Sequence, residues 1–190
     1  MESVRRKPRS DALRNRDRLI EAAKDILGQG GPGASLEAVA REAGVGIGTL
    51  YRHFPTRESL FIAVYRHEVE QLIELANRLE TETGDTEVLR IWAHAFVALV
   101  ETKRGLLGTL SLVASEDSKA MFAEVSASLK EAVRRLMAHA MSSGKLRSDI
   151  TVDDLFSTVY AVGYARPAGP EWKAQVLRLV DIFIDGMKAS

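Results

Sequence analysis

The residues Ser35-Leu-Glu-Ala-Val-Ala-Arg-Glu-Ala-Gly-Val-Gly-Ile-Gly-Thr-Leu-Tyr-Arg-His-Phe54 contain two short helical segments separated by a glycine turn. Ser35 is a good N-cap for the first segment, whose apolar residues recur at helical spacing. Gly44 ends that segment, and the apolar Val45 follows it directly. Two helices of about two turns joined in this way are typical of a helix-turn-helix.

The second of these segments is predicted to be a helix that enters the major groove of DNA. Leu50 and Phe54, four residues apart, are expected to face the core. Gly46 and Gly48 leave the front of the helix nearly bare, so that backbone N–H groups can approach a phosphate. An ordinary helical hairpin inside a bundle is the alternative, but exposed polar residues on so short a helix favour DNA binding. Four side chains are expected to reach base edges and phosphates: Thr49, Tyr51, Arg52 and His53.

The rest of the chain is predicted to be all-α, because apolar residues recur at helical spacing and no proline occurs between Thr56 and Arg166. We expect a basic tail over residues 1–10, a helix-turn-helix domain over 11–57 and a larger helical domain over 58–190. About nine helices are predicted, over residues 11–28, 36–43, from Gly48 to about 54, 57–81, 86–102, 104–114, 118–142, 152–165 and 171–188.

The charge of the chain is unevenly distributed although it sums to zero, with 26 basic and 26 acidic residues among 190. Counted along the sequence, residues 1–57 hold 11 Lys and Arg against 7 Asp and Glu, a net charge of +4. The remainder, residues 58–190, holds 15 against 19, a net charge of −4. A polyanionic partner is therefore expected to meet the N-terminal part.

Composition and motifs exclude or disfavour several other classes of protein. The absence of cysteine excludes disulfides and thiolate zinc sites, and the histidines at 53, 67, 94 and 139 are too far apart for a paired helical metal motif. No long uncharged apolar run suggests a membrane span, and no apolar stretch follows the basic N-terminus as in a signal peptide. No nucleophile motif such as G-x-S-x-G occurs. We therefore expect a cytoplasmic protein that is not an enzyme and has no metal or cofactor.

Several stretches of the N-terminal part together match the pattern of one known family. They are Leu19-Ile-Glu-Ala-Ala23 leading to Leu27, Gly30, Ser35-Leu-Glu-Ala-Val-Ala40, Ala43-Gly-Val45, Gly48-Thr-Leu-Tyr-Arg-His-Phe54 and Thr56-Arg-Glu-Ser-Leu60. Through them, the segment from Arg16 to about Phe61 resembles the N-terminal domain of the TetR family of bacterial transcriptional repressors. The resemblance implies a ligand-responsive regulator, most simply a repressor, that binds a palindromic double-stranded operator as a homodimer and is released by a small molecule.

The resemblance also implies roles for individual positions. Thr49 matches a residue that contacts a base or a phosphate, and Ile47 stands where relatives often read a base, so it is expected to contact a thymine methyl group or to read nothing. The basic run from Arg5 to Arg9 is equally compatible with a minor-groove arm and with a solvated tail. Phosphate contacts are implied for Ser35, Tyr51, His53 and Arg57.

A pocket for the small molecule is expected in the C-terminal domain, as the resemblance implies. The candidate lining residues also lie on apolar helical stripes, so plain core packing is the alternative for each of them. Their low polarity favours an apolar or aromatic effector. They are Tyr65, Trp92, Phe96, Met121, Phe122, Phe156 and Tyr160.

The two helices predicted over residues 152–165 and 171–188 carry more apolar residues than one buried stripe needs. In the TetR family the corresponding helices pair with their copies across the dimer interface. Gly163 is expected either to permit close approach between subunits or simply to be a position that weakens its helix. The predicted interface residues are Phe156, Val159, Gly163, Val176, Val180, Phe183 and Ile184.

A rival hypothesis takes the chain for an all-α enzyme or metabolite-binding protein whose helix-turn-helix no longer binds DNA. The basic N-terminus and the pattern Thr49-x-Tyr51-x-His53 weigh against it.

Overall fold

The computed structural model describes residues 8–28, 35–81, 86–108 and 116–189. Within these ranges the chain forms eight helices, in agreement with the all-α prediction. They are α1 (Pro8–Gly28), α2 (Leu36–Glu42), α3 (Ile47–His53), α4 (Arg57–Glu80), α5 (Thr86–Gly108), α6 (Glu116–Ser142), α7 (Val152–Ala165) and α8 (Trp172–Gly186).

The helices belong to two compact units. The first unit comprises Met1–His67 and Thr102–Val113, and the second comprises Glu68–Glu101 and Ala114–Ser190. The first unit therefore extends past the expected boundary at residue 57, because the first turns of α4 belong to it. Helices α4 and α5 each contribute residues to both units.

In the first unit, α1 packs against α2 and α3 around fully buried aliphatic side chains. Ser35 caps α2 as predicted, since its hydroxyl accepts a hydrogen bond of 3.1 Å from the amide of Ala38. Thr56 and Ser59 cap the start of α4 reciprocally: the amide of Ser59 donates to Thr56 Oγ1 at 3.0 Å and the amide of Thr56 donates to Ser59 Oγ at 3.2 Å. Local hydrogen bonds thus fix where α2 and α4 begin.

In the second unit, an aromatic cluster fills the space between α5 and α7. Phe96 lies at its centre, with ring centroids 5.1 Å from Trp92, 4.6 Å from Phe156 and 5.3 Å from Tyr160. The indole of Trp92 donates a hydrogen bond of 3.1 Å to the carbonyl of Leu72 on α4. The cluster is therefore well packed and its buried polar atom is satisfied.

Gly163 permits a close approach between helices of the same chain. A Cβ atom at this position would stand 2.9 Å from Val100 Cγ1, and the carbonyl of Gly163 accepts a hydrogen bond of 2.9 Å from the Trp172 indole. Its packing role therefore lies inside one subunit.

An ionic network joins α5 to α8 near the surface of the second unit. The guanidinium of Arg90 donates to Asp181 Oδ1 and to Asp185 Oδ1, both at 2.7 Å, and Nε2 of His94 lies 2.7 Å from Asp181 Oδ1. Burial alone would raise the pKa of Asp181, but the hydrogen bonds from His94 and Arg90 outweigh it and hold the pKa below its usual value.

The end of α8 is tied to the loop between α6 and α7 by an antiparallel bridge between Leu146 and Lys188. The amide of Arg147 donates to the carbonyl of Met187 at 3.0 Å, and the amide of Ala189 donates to that of Lys145 at 3.1 Å. The Thr151 and Asp154 capping box that was predicted for α7 begins just after this loop.

Two helix boundaries differ from the sequence prediction. Helix α1 begins at Pro8 and not near residue 11, because proline is well tolerated in the first turn of a helix. The break expected between residues 102 and 104 does not exist, since α5 runs unbroken from Thr86 to Gly108. Gly105 makes the helix less stable than alanine would by only about 1 kcal/mol, and the packing of α5 outweighs this cost.

Residues 109–114 of the predicted sixth helix lie outside the described ranges, as do Arg5, Arg6 and Lys7 of the basic tail.

Candidate nucleic-acid interface

The turn between α2 and α3 has the backbone that the sequence predicted. Gly44 has a φ of +64°, in the left-handed region that favours glycine, and its amide donates to the carbonyl of Arg41 at 3.0 Å. The amide of Val45 donates to the carbonyl of Ala40 at 2.9 Å, which closes the turn. The two helices are thereby held as a helix-turn-helix.

Helix α3 presents one face to the core and the other to solvent. Leu50 and Phe54 are buried, as predicted, at 0% and 3% exposure. Tyr51 and Arg52 are exposed. The polar residues of α3 are thus available to a partner, and Thr49 and His53 are half-buried at the edges of the exposed face.

The side chain of Arg52 folds back along its own helix. Its Nε donates to the carbonyl of Gly48 at 3.1 Å, and its Nη2 donates to Thr49 Oγ1 at 3.0 Å. Ile47, which begins the helix, is 39% exposed, and a Cβ atom on Gly48 would meet nothing within 4 Å. The solvent-facing side of α3 therefore includes an exposed aliphatic side chain, a glycine without a side chain and an arginine held by two hydrogen bonds.

Helix α1 adds two arginines beside this surface that the motif analysis did not single out. The guanidinium of Arg16 lies 5.6 Å from the ring centroid of Phe54, and that of Arg18 lies where a side chain on Gly44 would stand. Both side chains are exposed, whereas Arg14 forms an ion pair with Asp11 of the same helix. The alternation of arginines at 14, 16 and 18 was visible in the sequence, but only the packing of α1 on α2 and α3 shows that Arg18 reaches the turn and that Arg16 reaches Phe54.

Two of the predicted phosphate contacts lie at helix starts. Ser35 is half-buried and engaged as the cap of α2, and Arg57 is half-buried in the first turn of α4. Arg57 therefore contributes packing as well as charge, and a substitution that tests its charge must keep its length.

The structure brings together four of the seven residues predicted to line an effector pocket, namely the cluster of Trp92, Phe96, Phe156 and Tyr160. Met121 and Phe122 are half-buried on α6. Tyr65 belongs to the first unit, where its ring lies 5.7 Å from the ammonium of Lys103, whose pKa burial lowers. Trp92, Phe96 and Phe156 are closely packed and almost fully buried, as the core-packing alternative requires.

Most of the residues predicted for a dimer interface are already buried inside one chain. Val159, Val176, Val180 and Ile184 are all at 0% exposure, Phe156 is at 3%, and Gly163 is buried against Val100. A side chain that is already buried in one chain has no accessible surface left to bury against a second chain. These six residues therefore belong to the core of the single chain. Phe183 is half-buried and keeps area for a partner. Helices α7 and α8 carry apolar residues on two sides, and the sequence does not show which side faces inward.

A different face of these helices remains apolar and accessible. We call it the α7/α8 outer face. Thr158, Ile182, Phe183 and Gly186 of this face line one groove of about 560 Å³, together with Ile150, Met187 and the charged residues Arg147, Asp149 and Asp154. Ile182 is 62% exposed, the largest exposed fraction among the prominent exposed hydrophobic side chains of the described residues. The face consists of Thr158, Ala161, Val162 and Ala165 of α7 and Leu179, Ile182, Phe183 and Gly186 of α8.

Among the described residues, no group of three His, Cys, Asp or Glu side chains stands close enough together to hold a metal ion. Among the helices of the described ranges, none combines the length and apolarity needed to cross a bilayer.

A glycine turn of this geometry, followed by a short helix with a polar outer face, defines a helix-turn-helix DNA-binding protein. Residues 19–64 match the family model "Bacterial regulatory proteins, tetR family", and residues 85–189 match the model "Transcriptional regulator SbtR-like, C-terminal domain". The chain belongs to the TetR family of transcriptional regulators.

Individual relatives agree with this assignment. The chain is 35% identical to the TetR transcriptional regulator SCO0520 from Streptomyces coelicolor, with a TM-score of 0.77 over 92% of this chain and 99% of that one. A TetR regulatory protein from Mycobacterium vanbaalenii gives 28% identity and a TM-score of 0.72 over 96% and 100%. The regulator SAR0097 of Staphylococcus aureus (strain MRSA252) is 37% identical over 86 residues, which are 44% of this chain and 45% of that protein. The match thus spans just under half the length of this curated relative.

Proposed function

We propose that the protein is a repressor that binds a palindromic operator as a homodimer and releases it when a small molecule binds the second unit. The observation that carries the proposal is the geometry of α3, which buries Leu50 and Phe54 and exposes Tyr51 and Arg52 beside a closed helix-turn-helix turn. A helix arranged in this way presents polar side chains to the major groove. As a repressor of this kind it would act in the cytoplasm.

The proposed dimer is formed through the α7/α8 outer face. Its apolar residues are accessible in one chain, and the small side chains of Ala161, Ala165 and Gly186 allow a second copy to approach closely. A two-fold dimer presents two recognition helices, and an operator with two-fold symmetry then offers each of them the same half-site. The recognition helices must stand about 34–36 Å apart to meet successive major-groove faces.

The proposed effector site is at the accessible end of the aromatic cluster of the second unit, beside Tyr160, because Trp92, Phe96 and Phe156 are closely packed against one another. Tyr160 is half-buried and Tyr164 is 45% exposed, so the chain of rings that begins at buried Phe96 reaches the surface. An apolar or aromatic molecule is the chemistry that such a lining favours. Because α4 contributes residues to both units, a shift of α4 on ligand binding is the proposed route to the DNA-binding unit.

The test is binding of the purified protein to the duplex DNA that flanks its own coding sequence, measured by gel shift at two salt concentrations. We expect Tyr51→Phe and Arg57→Gln to stay folded and to weaken binding to every sequence alike, because each removes one phosphate contact. Arg57→Gln, which keeps most of the length of the side chain, should also reduce the salt slope by roughly one. A wild-type protein that binds no duplex, at either salt concentration, would overturn the proposal in favour of a metabolite-binding protein.

A further inference from the structure

Arg52 lies at the middle of the exposed face of α3. Gly48 and Arg52 are four residues apart and lie roughly 160° around the helix axis from the buried pair Leu50 and Phe54. If α3 enters the major groove as proposed, Gly48 and Arg52 therefore face into that groove. Tyr51 and His53 lie to either side of this line.

Gly48 supplies the first anchor of the Arg52 guanidinium through its backbone carbonyl. A Cβ atom on Gly48 would meet nothing within 4 Å, so packing inside the protein does not require glycine here. The bare backbone exposes the Gly48 carbonyl, and the Nε of Arg52 donates to it at 3.1 Å. The guanidinium therefore lies along the helix surface at the Gly48 carbonyl, and this bond does not depend on glycine at the position.

Thr49 supplies the second anchor of the guanidinium. Its Oγ1 accepts the hydrogen bond of 3.0 Å from Arg52 Nη2. A guanidinium has five N–H donors in a fixed plane, and these two bonds use two of them. The edge formed by Nη1 and Nη2 still has donors directed away from the helix. Because two hydrogen bonds already hold the guanidinium in place, Arg52 loses less side-chain entropy when it binds a partner.

A planar pair of donors matches guanine, whose O6 and N7 both accept hydrogen bonds in the major groove. We propose that Arg52 reads a guanine in each operator half-site, and that Thr49 is a positioning residue that acts on DNA through Arg52. The inference rests on the proposed DNA-binding function and assigns the base that this site recognises. It also changes the expected role of Thr49, whose hydroxyl holds a protein side chain and does not itself contact DNA.

The first experiment selects preferred duplexes from a random DNA library with the wild-type protein and with Arg52→Ala, which is expected to fold because Arg52 is exposed. The wild-type selection should contain a guanine at one position of each half-site, and the Arg52→Ala selection should lose that preference only. Replacing the selected guanine by 7-deazaguanine removes the N7 acceptor. This replacement should weaken wild-type binding roughly 5- to 100-fold and leave Arg52→Ala binding unchanged.

The second experiment separates positioning by Thr49 from direct contact. Thr49→Ser keeps the oxygen that accepts from Arg52, whereas Thr49→Val keeps the shape and removes the acceptor. We expect Thr49→Ser to retain the guanine preference and Thr49→Val to lose it. In the Arg52→Ala background, Thr49→Val should have no further effect on affinity, because its partner is already gone.

The outcomes distinguish this inference from the proposed function. If the wild type selects a palindrome and Arg52→Ala selects the same bases with the same 7-deazaguanine effect, the guanine assignment is wrong while the regulator function stands. If Thr49→Val weakens binding equally with and without Arg52, Thr49 contacts DNA itself and its positioning role is wrong. If the wild type selects no sequence at all, both the proposed function and this inference fail.

Discussion

The guanidinium of Arg18 on α1 occupies the space that a side chain on Gly44 would need. Gly44 therefore meets two constraints, since its φ of +64° disfavours a side chain and the arginine fills the room for one. The helix-turn-helix turn and the helix that covers it are thus adjusted to each other.

Gly44→Ala and Gly144→Ala form a matched pair that separates these two constraints. Gly144 has a similar φ of +70°, but a Cβ atom there would meet nothing within 4 Å. Each substitution should lower the free energy of unfolding by about 1–2 kcal/mol through its backbone strain, measured by urea denaturation. Because Arg18 can swing its flexible end away, crowding at Gly44 should add little. A much larger loss for Gly44→Ala that Arg18→Ala relieves would contradict this expectation.

Gly48→Ala should change stability and DNA binding in opposite directions. Alanine favours the helix over glycine by up to about 1 kcal/mol, and the new methyl group meets nothing in the protein. On DNA the same methyl group would stand between the groove and α3, so affinity should fall for all sequences. Thermal unfolding and gel shift on one preparation measure both effects. Unchanged affinity would show that α3 does not approach DNA at Gly48.

Gly163→Ala should destabilise the second unit by about 1–3 kcal/mol, because its Cβ atom would stand 2.9 Å from Val100 Cγ1. The double variant Gly163→Ala/Val100→Ala removes the crowding atom, so the two substitutions should cost less together than the sum of their separate effects. The coupling is read from urea denaturation of all four proteins. Strict additivity would show that Gly163 is merely a weak point of α7.

Ile182→Glu should convert the proposed dimer into folded monomers, since Ile182 is 62% exposed in one chain and a charge there costs little until a partner covers it. Val180→Glu should instead unfold the protein, because Val180 is at 0% exposure. Sedimentation velocity and circular dichroism distinguish the two results. Ile91→Glu is the control, since Ile91 is 45% exposed but lies on α5, outside the α7/α8 outer face. A wild-type monomer at micromolar concentration would refute the interface.

Asp181→Asn should remove part of the acid sensitivity of folding. The pKa of Asp181 is lower in the folded protein than its ordinary value of 3.8, so its stabilisation is present above that value and is lost as the pH falls toward the folded pKa. The stability difference between wild type and Asp181→Asn should therefore shrink on acidification below about pH 4. Asp149→Asn, at a fully exposed ion pair with Arg147, should show a smaller pH dependence. Urea denaturation across this pH range gives the comparison, and a constant difference would contradict it.

Helical spacing and helix-capping patterns in the sequence predicted much of the helix-turn-helix and several helix starts. Leu50 and Phe54 follow from helical spacing, and the Ser35 cap and the Thr151 and Asp154 capping box follow from side chains that bond to nearby amides. The inward side of α8 could not be predicted in the same way, because Val180 and Phe183 are both apolar and only the packing of α8 within the second unit, against α7 among others, decides between them. The hydrogen bond from Arg52 to Thr49 could not be predicted either, because the sequence shows that both residues are present but not which side-chain rotamers they adopt.

Both tryptophans of the chain, Trp92 and Trp172, lie in the second unit and are buried there at 0% and 5% exposure. Tryptophan emission is therefore a signal from the second unit alone, while far-ultraviolet circular dichroism records the helices of both. Adding operator DNA to the first unit changes this emission only if the binding event alters the surroundings of an indole in the other unit. The unmodified protein thus carries an intrinsic optical readout of communication between its two units, with no label attached.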